Sequence, residues 1–481
     1  MTFRFPTMAD YTEAYRGRRR SPLDIAKRVL SAVAASEDRD LPLRLFISQS
    51  EADVLAQAEA SSARYEAGEA LGPLDGVPIA VKDEIDQAGY PTTVGTRFLG
   101  ARGAVAKDSA AVARLRAAGA LLIGKTNMQE IGIGVTGINP HHGAVRNPYG
   151  PGHITGGSSS GSGAAVAAGI CPVAIGADGG GSIRIPAALC GVSGIKPTFG
   201  RVSELGAAPL CWSLAHLGPL AASLADAAHV LQLIAGVDPA DPSTLGQPNL
   251  DLNALIAEGQ GGEVPSVEGL RVGWCPAWAA KADPNVVAAC EAAVSRLEAR
   301  GATRVDVDLA HLDLHGPVQY VTIGVEMATS QYEFRREHLR DYGADTRLLL
   351  EMASQVPAVE YIRAQRLRTL IHDELVRVFD RVDVLATPAV AQAAAAIPPS
   401  ALETGLSDDR ILEANTTFSF AANLSGQPAI SIPVGYDEAG LPLGLQLLGR
   451  HWDEATIIRC GLAVEAGVSR QRPRVYYDLL D

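Results

Sequence analysis

Two glycine–serine runs and one lysine at the end of an apolar stretch carry the chemistry in this sequence. The runs are TGGSSSGSG (155–163) and GADGGGSIRIP (176–186), separated by AAVAAG and CPVAIG. The separators read as a helix and then a strand. That path returns the chain to one edge of a sheet, in the crevice where open α/β folds hold ligands. Glycine–serine tracts often serve as flexible linkers. Here each abuts core-like apolar sequence, which leaves no room for a tether. A dinucleotide fingerprint fails because Gly161-Ser162-Gly163-Ala164-Ala165-Val166 lacks its third glycine, and neither run closes with the GK[ST] of a phosphate loop. Gly157-Ser158-Ser159-Ser160-Gly161 matches G-x-S-x-G literally. A nucleophile elbow must follow a buried strand, whereas HHGAVRNPYGPGHI is studded with Gly and Pro and is not strand-like.

The second run suits a nucleophile better. Gly179, Gly180 and Gly181 precede Ser182, and residues without Cβ let backbone amides turn inward. Inward N–H groups form an oxyanion hole, worth about 3–4 kcal/mol per donor in acyl transfer. A serine also needs a base. The ten histidines are scattered, and His153 alone stands beside a glycine run. Lysine is the other candidate: the apolar stretch Val77 to Val81 in DGVPIAVKDEID leads straight into Lys82. Burial disfavours the charged form of an amine, as a base requires. A lone lysine is ordinarily salt-bridged or exposed, and Asp83 stands ready to neutralise this one.

The elements that must position these residues alternate helix and strand. Ser21 caps SPLDIAKRVLSAVAAS, Asp108 caps SAAVARLRAA with Gly119 as its stop, and ALLIGKT follows as a buried strand. LRVGWC, the helix over 285–301 and RVDVDL repeat the rhythm. AISIPVG and LPLGLQLLG form an antiparallel pair about the turn at 437–440. This is an α/β pattern with helices on both faces of a central sheet. The polar stretch around 239–268 and the Ala/Pro-rich stretch 389–404 have core strands on both sides, so they read as surface insertions into one large domain.

The 481 residues are 47% hydrophobic and 20% charged, an ordinary globular balance, with 49 Gly and 29 Pro indicating close backbone packing and many loops. A net charge of −13 disfavours nucleic-acid and anionic-membrane partners. RGRRR at 16–20 is followed by no apolar leader segment, and the apolar run at 164–177 is shorter than a membrane span. A cytoplasmic protein is expected. Six cysteines without ligand-like spacing read as buried free thiols.

The segments GPLDGVPIAVKDEID, GKTNMQE, NPHHGAVRNPY, TGGSSSGSGAAVAAG, GADGGGSIRIPAALCGVSGIKPT and NLSGQPAISIPVG occur in this order. Together they resemble the amidase signature family over nearly the whole chain. The resemblance implies a single α/β/α domain (1–481) around a mixed, mostly parallel twisted sheet. N-terminal helices would occupy 1–65, the catalytic core 66–235, an insertion and pocket region 236–410, and closing strands and helix 411–481. It further implies a Ser–cis-Ser–Lys triad of Ser182, Ser158 (in a cis peptide) and Lys82, with Gly179, Gly180 and Gly181 as oxyanion hole. Asp178, Arg184 and Ser160 would support the loop, with Met128, Ile131, Ile133, Leu210 and Trp212 in the substrate pocket. No cofactor or metal is implied. The expected reaction is hydrolysis of a small aryl or aliphatic amide, or a carbamate, through an acyl-enzyme. A homodimer is compatible with this. The alternatives are the A subunit of a glutamine-dependent tRNA amidotransferase and a histidine-based G-x-S-x-G esterase.

Three positions depart from the family pattern. Gly179 stands where Thr is common, expected to loosen the oxyanion loop or admit a bulkier substrate. Ala215 replaces an acidic residue, and His153 stands where arginine is common.

Overall fold

A computed structural model describes residues 3–481. Eleven strands form one sheet: β1 (Phe46–Ser48), β2 (Pro78–Lys82), β3 (Leu121–Thr126), β4 (Val173–Ala177), β5 (Ser193–Lys196), β6 (Leu217–Ala221), β7 (Arg271–Trp274), β8 (Thr303–Asp306), β9 (Val384–Pro388), β10 (Ala429–Tyr436) and β11 (Pro442–Gly449). Their spatial order is β1-β3-β2-β4-β6-β5-β10-β11-β9-β7-β8. The α/β class and the mixed sheet are as expected, but the sheet is not mostly parallel. Parallel pairing is confined to β3–β2–β4 and β9–β7–β8. The centre, from β4 through β6, β5, β10 and β11 to β9, is antiparallel throughout. Parallel neighbours need long crossovers, whereas β10 and β11 are joined by a tight turn in which Gly440 N–H donates to Asp437 O at 3.0 Å.

The parallel flank positions the site. Every residue of PIAVK in β2 and VAIGA in β4 is buried, the continuous apolar pattern of strands covered on both faces. Ile79, Ala80 and Val81 pair with Val173, Ala174 and Ile175, so Lys82 and the residues following Ala177 emerge together. Helix Ser160–Ala167, with the sequence SGSGAAVA, lies fully buried against this flank. A Cβ on Gly161 would fall 2.4 Å from Leu45 O and 2.6 Å from Asn127 N, which is why the helix is built of such small residues.

Several local expectations hold. Ser21 Oγ accepts from Asp24 N–H at the start of helix Pro22–Glu37, and the six cysteines are buried and free. Others change. The cap of helix Ala110–Ala117 is Ser109, whose side chain accepts from Val112 N–H; the Asp108 carboxylate instead holds Arg116 Nε at 2.6 Å and Ala88 N–H at 2.8 Å. The stretch before the first glycine run does contain strands, Gly143–Ala144, Arg146–Asn147 and Gly150–Ile154. They form two-stranded ribbons outside the main sheet. No helix of the described residues is long and apolar enough to cross a membrane; the apolar run at 164–177 divides between a helix and β4.

Asp226 gives the fold a pH dependence. Its Oδ2 accepts Met8 N–H at 3.0 Å and so ties helix Met8–Arg16 to helix Leu224–Ile234. Burial, with the charges of Glu465 and Asp10 adding to it, pushes this carboxyl up to about 7 from 3.8, against hydrogen bonds from Met8 and Ser223. With the folded value above the unfolded one, the folded protein binds the extra proton. This contribution is full below about pH 4 and is lost as pH rises through 7. Asp226→Asn should therefore flatten the decline in urea midpoint between pH 5 and 8. An unchanged slope would show that the carboxyl is already ionised at pH 5.

Candidate active site

Lys82 ends β2 only 1% exposed and donates from Nζ to Ser158 Oγ at 2.7 Å and to Ala177 O at 3.3 Å. Its third close neighbour is Glu84, with Oε2 2.9 Å from Nζ. Asp83, the neutralising partner suggested by the sequence, points elsewhere. It sits 3.6 Å from the buried Lys125 and takes hydrogen bonds from Thr93 and Gly95. The turn in which Ile85 N–H donates to Lys82 O at 3.0 Å folds Glu84 back over the lysine.

Ser158 reaches Lys82 without a cis bond. No cis peptide occurs among the described residues, which corrects the expectation at Ser158. The sharp turn comes from Gly156 and Gly157, at φ 77° and 39°, a left-handed region that glycine enters freely. A Cβ on Gly157 would also lie 2.3 Å from Pro186 Cδ and 3.2 Å from Ser182 Cα, so this glycine lets the two serine loops touch. Ser159 N–H donates to Ser182 O at 3.2 Å across that contact. Among the described residues no hydrogen bond joins Ser158 Oγ to Ser182 Oγ. Ser182, 6% exposed, opens onto a cavity of about 480 Å³ that Lys82 and Ser158 also line, within the usual size of a small-molecule site.

The loop before Ser182 is held by Asp178. Its Oδ1 accepts Gly181 N–H at 2.7 Å and its Oδ2 accepts Ile183 N–H at 3.1 Å. Arg184 grips the same carboxylate through Nη2 at 2.9 Å and Nε at 3.0 Å, and reaches Ser419 O at 2.8 Å, Gln446 Oε1 at 2.5 Å and Asn423 Oδ1 at 2.6 Å. Burial acts to raise the Asp178 carboxyl. Arg184, through charge and hydrogen bonds, overrides it with help from Lys196 and Asn423 and holds Asp178 well below the usual carboxylate range. The Gly181 N–H is thereby spent, contrary to its expected place in the oxyanion hole. Among the described residues the N–H groups of Gly179, Gly180 and Ser182 have no protein acceptor. Gly179 has a different use from the one expected. A Cβ on Gly179 would lie 2.6 Å from Cys211 Sγ, so the space is filled by a thiol rather than by substrate.

Of the anticipated pocket residues, Ile133 and Leu210 line the cavity. Met128 and Ile131 are fully buried in the core behind it, and Trp212 is 46% exposed outside it. Ile131 nonetheless matters locally. Its φ of 43° is rare for a β-branched residue, and it sets Gly132 against the cavity, where a Cβ would be 3.7 Å from Ser158 Oγ. Ser160 Oγ turns away to Asn127 O at 3.5 Å and does not line the cavity. Ala215 lines it as an apolar wall. Among the described residues no histidine lines it: His153 borders a separate surface depression, and His216 is buried with Nδ1 2.8 Å from Leu214 O. Its outer wall comes from helices His315–Ser330 and Ala344–Ala353 and from Phe420, through Gln319, Tyr320, Ile323, Met327, Leu349 and Met352. Both helices fall in the 236–410 region that the resemblance assigned to the pocket, but helical periodicity singled out none of these side chains.

A family model described as Amidase matches residues 30–458. The chain belongs to the amidase signature family. This amidase is 39% identical over 486 residues to a fatty acid amide hydrolase of Medicago truncatula, covering 100% of this chain and 79% of that one. It is 36% identical over 469 residues to the A subunit of the glutamyl-tRNA(Gln) amidotransferase of Chloroflexus aggregans, covering 92% of each. Its fold superposes on a peptide amidase crystallised with the competitive inhibitor chymostatin at a TM-score of 0.85, with 31% identity over 97% of this chain and 98% of that one. The amidase is accordingly an amide C–N hydrolase.

Proposed function

We propose that this amidase hydrolyses amides with an extended apolar acyl group, using Ser182 as nucleophile and Ser158 and Lys82 as proton relay. The observation that carries the reading is the 2.7 Å contact of Lys82 Nζ with Ser158 Oγ on the wall of the cavity that receives Ser182. Neutral Lys82 takes the Ser158 proton while Ser158 takes that of Ser182, whose Oγ bonds to the carbonyl carbon. The oxyanion falls among the N–H groups of Gly179, Gly180 and Ser182. Collapse breaks the C–N bond as Ser158 returns a proton to the leaving nitrogen. Water, deprotonated through the same relay, then releases the acid.

Two features favour an apolar acyl chain. The cavity wall is aliphatic from Ile133 and Leu210 to Ile323 and Met327, and its mouth carries Leu348 and Met352, 58% and 64% exposed. The fatty acid amide hydrolase relative points the same way. A series of p-nitroanilides from acetyl to dodecanoyl tests it: kcat/KM should climb with chain length. Ile323→Trp should cost the long-chain members at least about 10–200-fold, the range for a misfit of one methylene in an apolar pocket, with a smaller effect on the acetyl compound. A flat chain-length profile would remove the acyl assignment. Activity that appeared only with glutamine and a second subunit would match the amidotransferase relatives instead.

A further inference from the structure

Glu84 is the one carboxylate among the described residues that touches the proposed base. It is 6% exposed and lines the cavity. Its Oε2 sits 2.9 Å from Lys82 Nζ, off the axis of a well-formed hydrogen bond, and among the described residues meets no other donor. A carboxylate so buried is costly unless it is paired, and the lysine is its pair. Lys82 Nζ thus has three neighbours: Ser158 Oγ at 2.7 Å, Glu84 Oε2 at 2.9 Å and Ala177 O at 3.3 Å.

We propose that Glu84 is a positioning residue that stabilises the Lys82 ammonium formed each time the relay delivers a proton. The inference rests on the reading of Lys82 as base. The step is balanced within the site. The Ser182 proton passes to Ser158 and the Ser158 proton to Lys82, the ammonium is held against the Glu84 carboxylate, and the same proton returns through Ser158 to the leaving nitrogen. Histidine-based triads place a carboxylate behind their base for the same electrostatic purpose.

The other ionisable groups around Glu84 are Lys125 on β3 and Glu204 and Cys211 on the loop between β5 and β6. Lys125 is held by Asp83. Burial raises the Cys211 thiol further, keeping it neutral. Burial, then the charges of Glu84 and Asp241, pushes Glu204 up to about 8, so it is uncharged through the acid range.

The test is the pH profile of kcat/KM for an anilide substrate in the full-length protein, comparing Glu84→Gln, Glu84→Ala, Glu84→Asp and Glu204→Gln. Removing the carboxylate should move the acid limb of E84Q and E84A to lower pH by about 1–3 pH units, the range for losing an adjacent opposite charge. Their plateau kcat should fall about 10–100-fold, part of what a general base supplies. E84D should keep the limb near its native place and recover part of the plateau, and E204Q should leave the limb in place. If either charge-removing variant folds poorly, the other carries the measurement. Acid limbs of E84Q and E84A that superimpose on the native one overturn the proposal, even with a lowered plateau, because a structural ion pair would affect folding alone. Native-level turnover by Lys82→Ala would instead overturn the reading of the base, a separate result.

Discussion

Alanine at position 182 should lower kcat for amide hydrolysis by about 10⁶-fold, the scale seen when a nucleophile is removed from a serine hydrolase. Ser182 lines the cavity at the end of the loop whose Gly179, Gly180 and Ser182 N–H groups have no protein acceptor among the described residues, and Ser158 and Lys82 line the same cavity. Lys82→Ala and Ser158→Ala should each lose about 10²–10⁴-fold, the contribution of general acid–base catalysis. Combining either with Ser182→Ala should cost nothing more, since the three act as one unit. Steady-state rates on one anilide, with circular dichroism to confirm folding, measure this. Additive losses would mean that the lysine and Ser158 act elsewhere than on the Ser182 proton.

The second large effect concerns stability. Arg184 is fully buried, and its guanidinium meets Asp178, Ser419, Asn423 and Gln446. Arg184→Ala leaves the Asp178 carboxylate buried without its counter-charge, a change that costs about 3–5 kcal/mol in comparable buried pairs. It should also depress kcat, because Asp178 holds the Gly181 and Ile183 amides that shape the loop before Ser182. Urea denaturation of native and R184A protein reads the first effect. A loss under about 1 kcal/mol, small beside that range, would show that water or Lys196 neutralises Asp178 in the variant.

The parts of the site that were legible in the sequence are the parts built locally. Val77 to Val81 announces a strand covered on both faces, so Lys82 had to end in the interior. The helix and strand between the two glycine runs dictate that Ser158 and Ser182 return to one edge. Other features depended on contacts remote in sequence. Gly179 looked like a concession to substrate because nothing nearby indicated that Cys211 would occupy its Cβ space. Gly181 has the composition of an oxyanion donor, yet Asp178 takes its N–H. Met128 and Ile131 are apolar residues near the site, and apolarity alone does not separate a cavity wall from the core behind it. The outer wall is assembled from segments at 315–330, 344–353 and 420, whose apolar spacing is that of any packed helix. Glu84 did leave a trace, an acidic residue two positions after the lysine, but Asp83 was nearer in sequence and the more obvious partner. The turn after β2 decides between them.

The central claim is that Ser182 is the nucleophile and that Lys82 and Ser158 activate it. Mapping the site of covalent labelling by a fluorophosphonate tests this most directly, because such reagents modify activated serines. Peptide mass spectrometry of the labelled native protein should place one adduct on Ser182, and labelling should slow sharply in Lys82→Ala. An adduct on Ser158 or another serine, or equally fast labelling of Ser182 without Lys82, would contradict the account.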